Sequence, residues 1–186
     1  MRVISGTAKR TLLFSLDGLE TRPTADRIKE TIFNIIHNKI SESYFLDLFS
    51  GSGAMGIEAL SRNAQKVFFV EKSPAAMDII KKNLSKTKLN ENAVCILDDA
   101  LNFLRKYAEK NAEKFDIIFL DPPYGTDYIK DVLLLIRDSK ILNNEGIIIV
   151  EQENTSEILD IEGFYNYRTL NYKITDVVFY KQGESD

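Results

Sequence analysis

Cysteine, histidine and proline are scarce in this 186-residue chain, which holds one cysteine, one histidine and four prolines. A lone Cys95 supports neither a disulfide framework nor a cysteine-based metal site, and the run Ala93-Val-Cys-Ile-Leu around it suggests a buried small hydrophobe. His37 follows a helical pattern, where a basic side chain suits the helix end. Long hydrophobic runs are missing too. Nothing approaches the roughly 20 apolar residues of a membrane span, and the N-terminus lacks the apolar stretch of a signal peptide, so a cytoplasmic protein with no membrane partner is expected. With 44% apolar and 28% charged residues, and no repeat, low-complexity segment or linker, the expectation is one soluble domain over residues 1–186.

Positive charge is not in excess either. The net charge of −4 argues, as a total, against a nucleic-acid partner. Its distribution is uneven: residues 1–39 carry seven basic and four acidic side chains, a balance of +3, which leaves −7 for the remainder. A basic end beside an acidic body suits an RNA-facing surface, and equally a solvated one.

What is present is an alternation of strand and helix signals. Residues 1–20 read as a hairpin, with Arg2-Val-Ile-Ser, Gly6 and Thr11 to Leu16 ending at the turn signal Asp17-Gly18. Ile28, Ile32, Phe33, Ile35 and Ile36 recur at helical spacing, predicting a helix from an N-cap at Thr24 to about Lys39. Strands follow at 44–49, 66–71, 93–97, 115–120 and 146–151, separated by helices to about Arg62, near 75–87, near 100–112 and near 128–138. That rhythm predicts parallel βαβ units. Tyr165 to Tyr172 and Thr175 to Lys181 are two extended runs with a short gap, so an antiparallel hairpin at the sheet edge is expected.

Three strand ends carry chemistry. Tyr44 to Gly56 reads as a buried strand running into a glycine turn and a helix; Gly51, Gly53 and Gly56 let backbone approach a ligand, and Gly53 opens a helix whose unpaired amides favour an anionic group. Twenty residues after Gly51, Glu71 closes Lys66-Val-Phe-Phe-Val, the position where a doubly wound sheet sets an acid against ribose hydroxyls. Asp121-Pro-Pro-Tyr124 closes the fourth strand. Consecutive prolines stiffen that turn, so Asp121 and the Pro122 carbonyl form a fixed acceptor pair for one exocyclic amine, and the Tyr124 ring offers a face for a planar base. Each feature alone also fits plain fold punctuation. Their combination suits alkylation of a nucleobase amine.

Asp47-Leu-Phe-Ser-Gly-Ser-Gly53, Glu71 and Asp121-Pro-Pro-Tyr124 together resemble the class I S-adenosylmethionine-dependent methyltransferases that modify exocyclic amines. Arg2-Val-Ile-Ser-Gly6, Thr21-Arg-Pro-Thr-Ala-Asp-Arg27, Glu30 and Phe33 extend the likeness to the RsmD-like family, which methylates guanine N2 in small-subunit (16S) ribosomal RNA. The resemblance implies an α/β, doubly wound Rossmann-like sheet over residues 41–186, mostly parallel with a C-terminal antiparallel hairpin, and a small hairpin-plus-helix extension over 1–40. It implies S-adenosyl-L-methionine as cofactor, no metal, and as partner the small-subunit RNA, free or in an assembling 30S particle, with the protein a monomer. By the same resemblance Asp47, Phe49, Ser50, Gly51, Ser52 and Gly53 contact the methionine moiety, Glu71 the ribose hydroxyls, and Asp99 with Ala100 the adenine edge, with Lys72 a further cofactor-binding candidate. Thr24 and Arg22 lie near cofactor and target base, Lys9, Arg10 and Arg27 face RNA, and Asp121, Pro122, Pro123 and Tyr124 do the chemistry. Ser50 stands where the family often has Gly or Ala, and Lys173 where a glycine often precedes the last strand. The rival readings are an adenine N6 methyltransferase with the same acceptor turn, a protein glutamine N5 methyltransferase, whose pattern has Asn in place of Asp121, and a non-catalytic RNA-binding assembly factor.

Overall fold

The computed structural model describes residues 1–16, 23–109, 113–123 and 128–183. The apolar runs of the sequence form seven strands: β1 (Tyr44–Leu48), β2 (Lys66–Glu71), β3 (Ala93–Leu97), β4 (Phe115–Leu120), β5 (Leu142–Glu153), β6 (Phe164–Asn171) and β7 (Thr175–Gln182). They make one sheet in the order β3-β2-β1-β4-β5-β7-β6, parallel except where β7 pairs antiparallel with both β5 and β6. The C-terminal hairpin is therefore at the edge, as expected. The helices are α1 (Pro23–Ile35), α2 (His37–Ile40), α3 (Ala54–Ser61), α4 (Pro74–Thr87), α5 (Ala100–Glu109) and α6 (Tyr128–Ser139).

Residues of β5 from Ile147 to Val150 are sealed on both faces, which explains their unbroken apolar run. Odd-numbered positions such as Phe45, Phe119, Ile147 and Ile149 pack with α1 and α3, while Leu46, Ile118, Ile148 and Val150 pack with α5 and α6. Strand order reverses between β1 and β4, and in such sheets the crevice for a ligand opens there, beyond the carboxyl ends. Among the described residues no helix is long and apolar enough to cross a membrane.

Several local expectations need correction. The N-terminal hairpin is present but short: around the antiparallel Arg2–Leu12 bridge the Val3 N–H donates to the Thr11 carbonyl, the Arg10 N–H to the Val3 carbonyl and the Leu13 N–H to the Met1 carbonyl, while groups between and beyond these bond to helices. Its Asp17-Gly18 turn lies outside the described residues. The first helix starts at Pro23, whose fixed φ suits the first helical position, so Thr24 is inside the helix and not its cap. It stops at Ile35, and His37 begins the short α2 with its Nδ1 2.9 Å from the Asn34 carbonyl oxygen, a basic ring on a helix end. Strand β1 ends one residue early because Phe49 turns to φ 62°. Strand β5 starts four residues early, since Leu142 already pairs with Phe115 before a register shift. Cys95 is half-buried because β3 is an edge strand. Lys173 has no positive φ, so the turn before β7 needs no glycine.

The helices to which the N-terminal segment bonds include α3 and α4. Glu58, fully buried on α3, accepts the Ile4 and Ser5 N–H groups at 2.7 and 3.0 Å and the Arg62 Nε–H at 2.8 Å. Lys29 lies 3.5 Å from the same carboxylate and donates to the Arg2 carbonyl at 2.6 Å; burial pushes its pKa down although Glu58 opposes the shift. Ser61 donates to the Ser5 carbonyl and accepts the Ala8 N–H, and Gly6 at φ 82° sits so close that a Cβ there would stand 1.7 Å from the Ser61 carbonyl oxygen. Removing the Glu58 carboxylate leaves two N–H groups and two cations without their acceptor. Glu58→Ala is expected to cost about 3–5 kcal/mol, read as a lower urea midpoint at unchanged slope. An unchanged midpoint would show that the Glu58 bonds add nothing net to the hold on the segment.

Candidate active site

After β1 the chain must turn sharply back into α3, and three positive-φ residues do this: Phe49 at 62°, Gly51 at 55° and Gly53 at 76°. The turn is stitched to β2. Ser50 donates its N–H to the Val70 carbonyl at 3.1 Å and its Oγ–H reaches the Asp47 carbonyl at 2.6 Å, so its hydroxyl closes the loop. Each glycine has a different reason. A Cβ on Gly56 would meet the Phe69 ring at 2.3 Å, and one on Gly53 would meet Ile80 and Phe69 at 3.2 and 3.3 Å, whereas Gly51 has only the Phe49 carbonyl oxygen 4.0 Å away. Gly51 therefore faces open space.

Two carboxylates hold this loop. Glu71, at the end of β2, accepts the Gly51 N–H at 2.9 Å with one oxygen and the Ser73 N–H at 2.8 Å with the other. Asp47 is almost sealed from solvent and accepts the Gly56 N–H at 2.9 Å, so the anion at this helix start is the protein's own side chain. Burial pushes the Asp47 carboxyl well above its ordinary range; the Gly56 bond pulls it back, and the nearby Asp121 and Glu71 raise it further.

The next strand ends complete the crevice. Beyond β3, Asp99 caps α5 with one oxygen, accepting the Leu101 and Asn102 N–H groups at 3.0 and 3.3 Å, while Asp98 holds Lys106 at 2.9 Å and is lowered mainly by that bond. Beyond β4, Pro122 is buried and Asp121 keeps solvent-accessible surface on the cleft wall. Protein atoms nonetheless crowd the Asp121 carboxyl enough for desolvation to raise it to about 6, and its contact with water limits that penalty. Beyond Val150 of β5, Glu151 is raised to about 8 by burial first and by Asp121 second. Register pairs Leu120 with Val150, so Asp121 and Glu151 follow side by side where the pairing of β4 with β5 ends.

Two cavities result. One of about 410 Å³ is lined by Phe49, Gly51, Val70, Glu71, Lys72, Asp98, Asp99, Ala100 and Asp121-Pro122-Pro123. The other, about 180 Å³, runs under α1 past Asp47, Ser50, Gly51, Ser52, Asp121 and Glu151. They share Phe49, Gly51 and Asp121, so an elongated ligand lying across both would bend at the glycine loop beside the Asp-Pro-Pro turn. Phe49 meets Tyr128 edge-on at 5.6 Å, forming an aromatic wall.

Of the residues singled out in the sequence, the cavities bring together Asp47, Phe49, Ser50, Gly51, Ser52, Glu71, Lys72, Asp99, Ala100, Asp121, Pro122 and Pro123. Gly53 packs inward instead. Lys9 and Arg10 are exposed at the turn that docks on the far end of α3, and Arg27 is exposed on α1; none of the three lines either cavity. Tyr124 and Arg22 lie outside the described residues. Sequence reasoning missed Glu151, although it follows an apolar run as Glu71 does, and also missed Asn83, which donates to the Ser52 carbonyl at 2.9 Å.

A reversed, mostly parallel seven-stranded sheet with a glycine loop, an acid after the second strand and an acceptor turn after the fourth is the architecture of a Rossmann-like class I S-adenosylmethionine-dependent methyltransferase. The solved structure of yhhF from Escherichia coli superimposes with a TM-score of 0.85 at 29% identity, covering 100% of this chain and 99% of that one. The chain belongs to the family described as Conserved hypothetical protein 95, whose model matches residues 1–181. It is 36% identical over 182 residues to Ribosomal RNA small subunit methyltransferase D of Haemophilus influenzae, covering 97% of this chain and 92% of that protein. The protein of the same name from Escherichia coli is 33% identical, with 100% and 93% covered.

Because Glu71 fixes Gly51, its removal loosens the loop as well as deleting an acceptor on the large cavity. Glu71→Ala is expected to weaken S-adenosylmethionine binding about tenfold to a hundredfold, the loss of a charged hydrogen bond. Calorimetric titration checks this. Unchanged affinity in a folded variant would take Glu71 out of the cofactor site.

Proposed function

We infer that the protein transfers a methyl group from S-adenosylmethionine to the exocyclic N2 amine of a guanine in small-subunit ribosomal RNA. One observation carries the reading: Gly51 and Asp121 each border both cavities, so the loop that would hold a donor and the turn that would hold an acceptor amine meet at one point. The names of the relatives in the same family favour ribosomal RNA as substrate.

The residues present fit that cofactor. Gly51 leaves room for close backbone approach, and Glu71 has accepting capacity beyond its two N–H partners, since each carboxylate oxygen accepts more than one bond. Asp99 commits one oxygen to capping α5 and lines the cavity beside Ala100, where an adenine edge would lie. Bound there, S-adenosylmethionine supplies a methyl on a sulfonium, which an amine takes by in-line displacement as the carbon–sulfur bond breaks. Asp121 and the Pro122 carbonyl accept the hydrogens of the amine, which favours the pyramidal form whose lone pair can attack. As the nitrogen becomes positive, the Asp121 carboxylate meets the developing charge and takes the proton that the product amine must lose. Positioning by the stiff turn supplies much of the remaining acceleration. Thr24 and Arg22 would lie at the α1 side, and Tyr124 would offer its ring to the target base. The protein would act as a cytoplasmic, single-domain monomer on RNA that is free or in an assembling particle.

The direct test is to incubate the protein and labelled cofactor with unmodified small-subunit RNA, free and within particles, and to map the label. Label on guanine N2 is the expected result. Label on adenine N6 would favour the rival enzyme, and cofactor binding without transfer would favour an assembly factor.

The pH dependence of the rate follows from Asp121. Its carboxyl holds a proton below about 6, so kcat/KM, which reports the free protein, should climb as pH rises through that value and then level. Asp121→Asn keeps the shape without the charge. It should bind cofactor, lose single-turnover transfer by a factor on the order of 100, and lack the limb near 6. A fully active Asp121→Asn would refute the carboxylate mechanism.

A further inference from the structure

In the N-terminal segment Leu13 turns inward, 5% exposed, while Leu12, Phe14 and Leu16 are exposed at 52%, 45% and 56%. Phe14 is not a loose side chain on a loose strand. Asn83, fully buried on α4, accepts the Phe14 N–H at 2.7 Å and donates to the Phe14 carbonyl at 3.0 Å, as a neighbouring strand would. The same Asn83 amide donates to the Ser52 carbonyl at 2.9 Å, so the position of Phe14 is fixed relative to the glycine loop. An exposed ring on an anchored backbone offers a flat apolar face at little further cost in backbone entropy.

Among the described residues, the charge shown against the ring is positive. The Lys86 ammonium sits 4.4 Å from the Phe14 centroid, and Lys82, one helical turn earlier, is exposed on the same face of α4. Among the described residues neither lysine pairs with a carboxylate, nor do Lys9 and Arg10 further along the segment. Residues 1–16 and 74–88 hold seven basic side chains (Arg2, Lys9, Arg10, Lys81, Lys82, Lys86 and Lys88) and one acidic, Asp78, a balance of +6 that leaves −10 for the rest of a chain whose total is −4. The overall acidity thus conceals a basic flank. Protein interfaces bury few lysines, whereas unpaired ammonium groups beside a stackable ring suit a polyanion with planar bases. A duplex hides its base faces, so a strand with an unpaired nucleotide fits better.

We propose that this flank is a second RNA-contact surface, outside the cleft, on which an unpaired base of the substrate RNA stacks on Phe14 while Lys82 and Lys86 meet adjacent phosphates. The proposal rests on RNA being the methyl acceptor. Lys9 and Arg10, which line neither cavity, are further exposed cations on the same N-terminal segment.

Fluorescence anisotropy with a short labelled single-stranded RNA, and with a duplex of the same sequence, tests it over a range of salt. Phe14→Ala should weaken single-strand binding about tenfold at an unchanged salt slope, Phe14→Tyr should bind as the parent does, and the duplex should be indifferent to both. The Lys82→Ala/Lys86→Ala pair should lower the slope of log K against log salt by about 1.4, two phosphate contacts on a single strand. Cofactor titration should be the same for all, which also certifies their fold. Parent-like single-strand binding by Phe14→Ala, or an equal loss on the duplex, overturns the stacking role, and an unchanged slope in the lysine pair overturns the phosphate role. The two readings fail separately: if the parent protein methylates small-subunit RNA while every variant binds as it does, only this surface is wrong. If the parent methylates no RNA, the acceptor assignment falls first.

Discussion

Two backbone N–H groups, the half-buried one of Gly51 and the buried one of Gly56, set the conditions for the whole site. A strand that turns directly into a helix leaves such donors without partners, and an orphaned donor inside a fold costs about as much as a lost hydrogen bond. Glu71 satisfies the first at 2.9 Å and Asp47 the second at 2.9 Å. Each acid comes from the carboxyl end of a strand, β2 or β1, so the loop can keep its shape only in a sheet where those strands are neighbours and parallel. Loop geometry and sheet topology therefore specify one another. The open space at Gly51 is what remains once the loop has been tied down on its other sides.

The N-terminal segment obeys the same accounting with different partners. It has too few residues to build a sheet of its own, and beyond its single bridge several of its main-chain groups bond to Glu58, Ser61 and Asn83. Those three side chains point out of two helices that also support the glycine loop. The consequence is mechanical. A force on the segment reaches Ser52 through one asparagine, without passing through the sheet.

How much of this was legible in the sequence depends on the range of the interaction. Strands, helices and the three strand-end motifs were readable because each is written in a local period or a local turn. The short hairpin within residues 1–16 was readable, but its docking on the helices was not, because alternation of apolar residues looks the same whether the backbone pairs with a strand or with an asparagine from residue 83. The break at Ile36 escaped for a related reason, since Ile35, Ile36 and Ile40 keep an apolar period through it. Glu151 was passed over because an acid after Gly146-Ile-Ile-Ile-Val reads as a strand end, and only the β4–β5 register brings it beside Asp121.

That register also explains why the site is costly to fold and suited to its chemistry. Asp47, Asp121 and Glu151 come from the carboxyl-end side of three adjacent strands, Asp47 within β1, Asp121 just after β4 and Glu151 within β5; they line one small cavity, and all three carboxyls are raised, desolvation being the largest cause for each. A carboxyl raised in the folded state binds its proton more tightly there than in the unfolded chain. Its effect on stability is therefore most favourable at low pH and turns adverse as pH rises from the ordinary carboxylate range through the raised value. A fold selected for stability alone would place apolar side chains at these strand ends. Acids are worth their cost where a positive charge arrives or develops, because the desolvation that raises them also strengthens their attraction for a cation in the same cavity. A sulfonium donor and an amine turning into an ammonium are two such charges, and the wall bearing Asp121 is where the proposed reaction would bring them together.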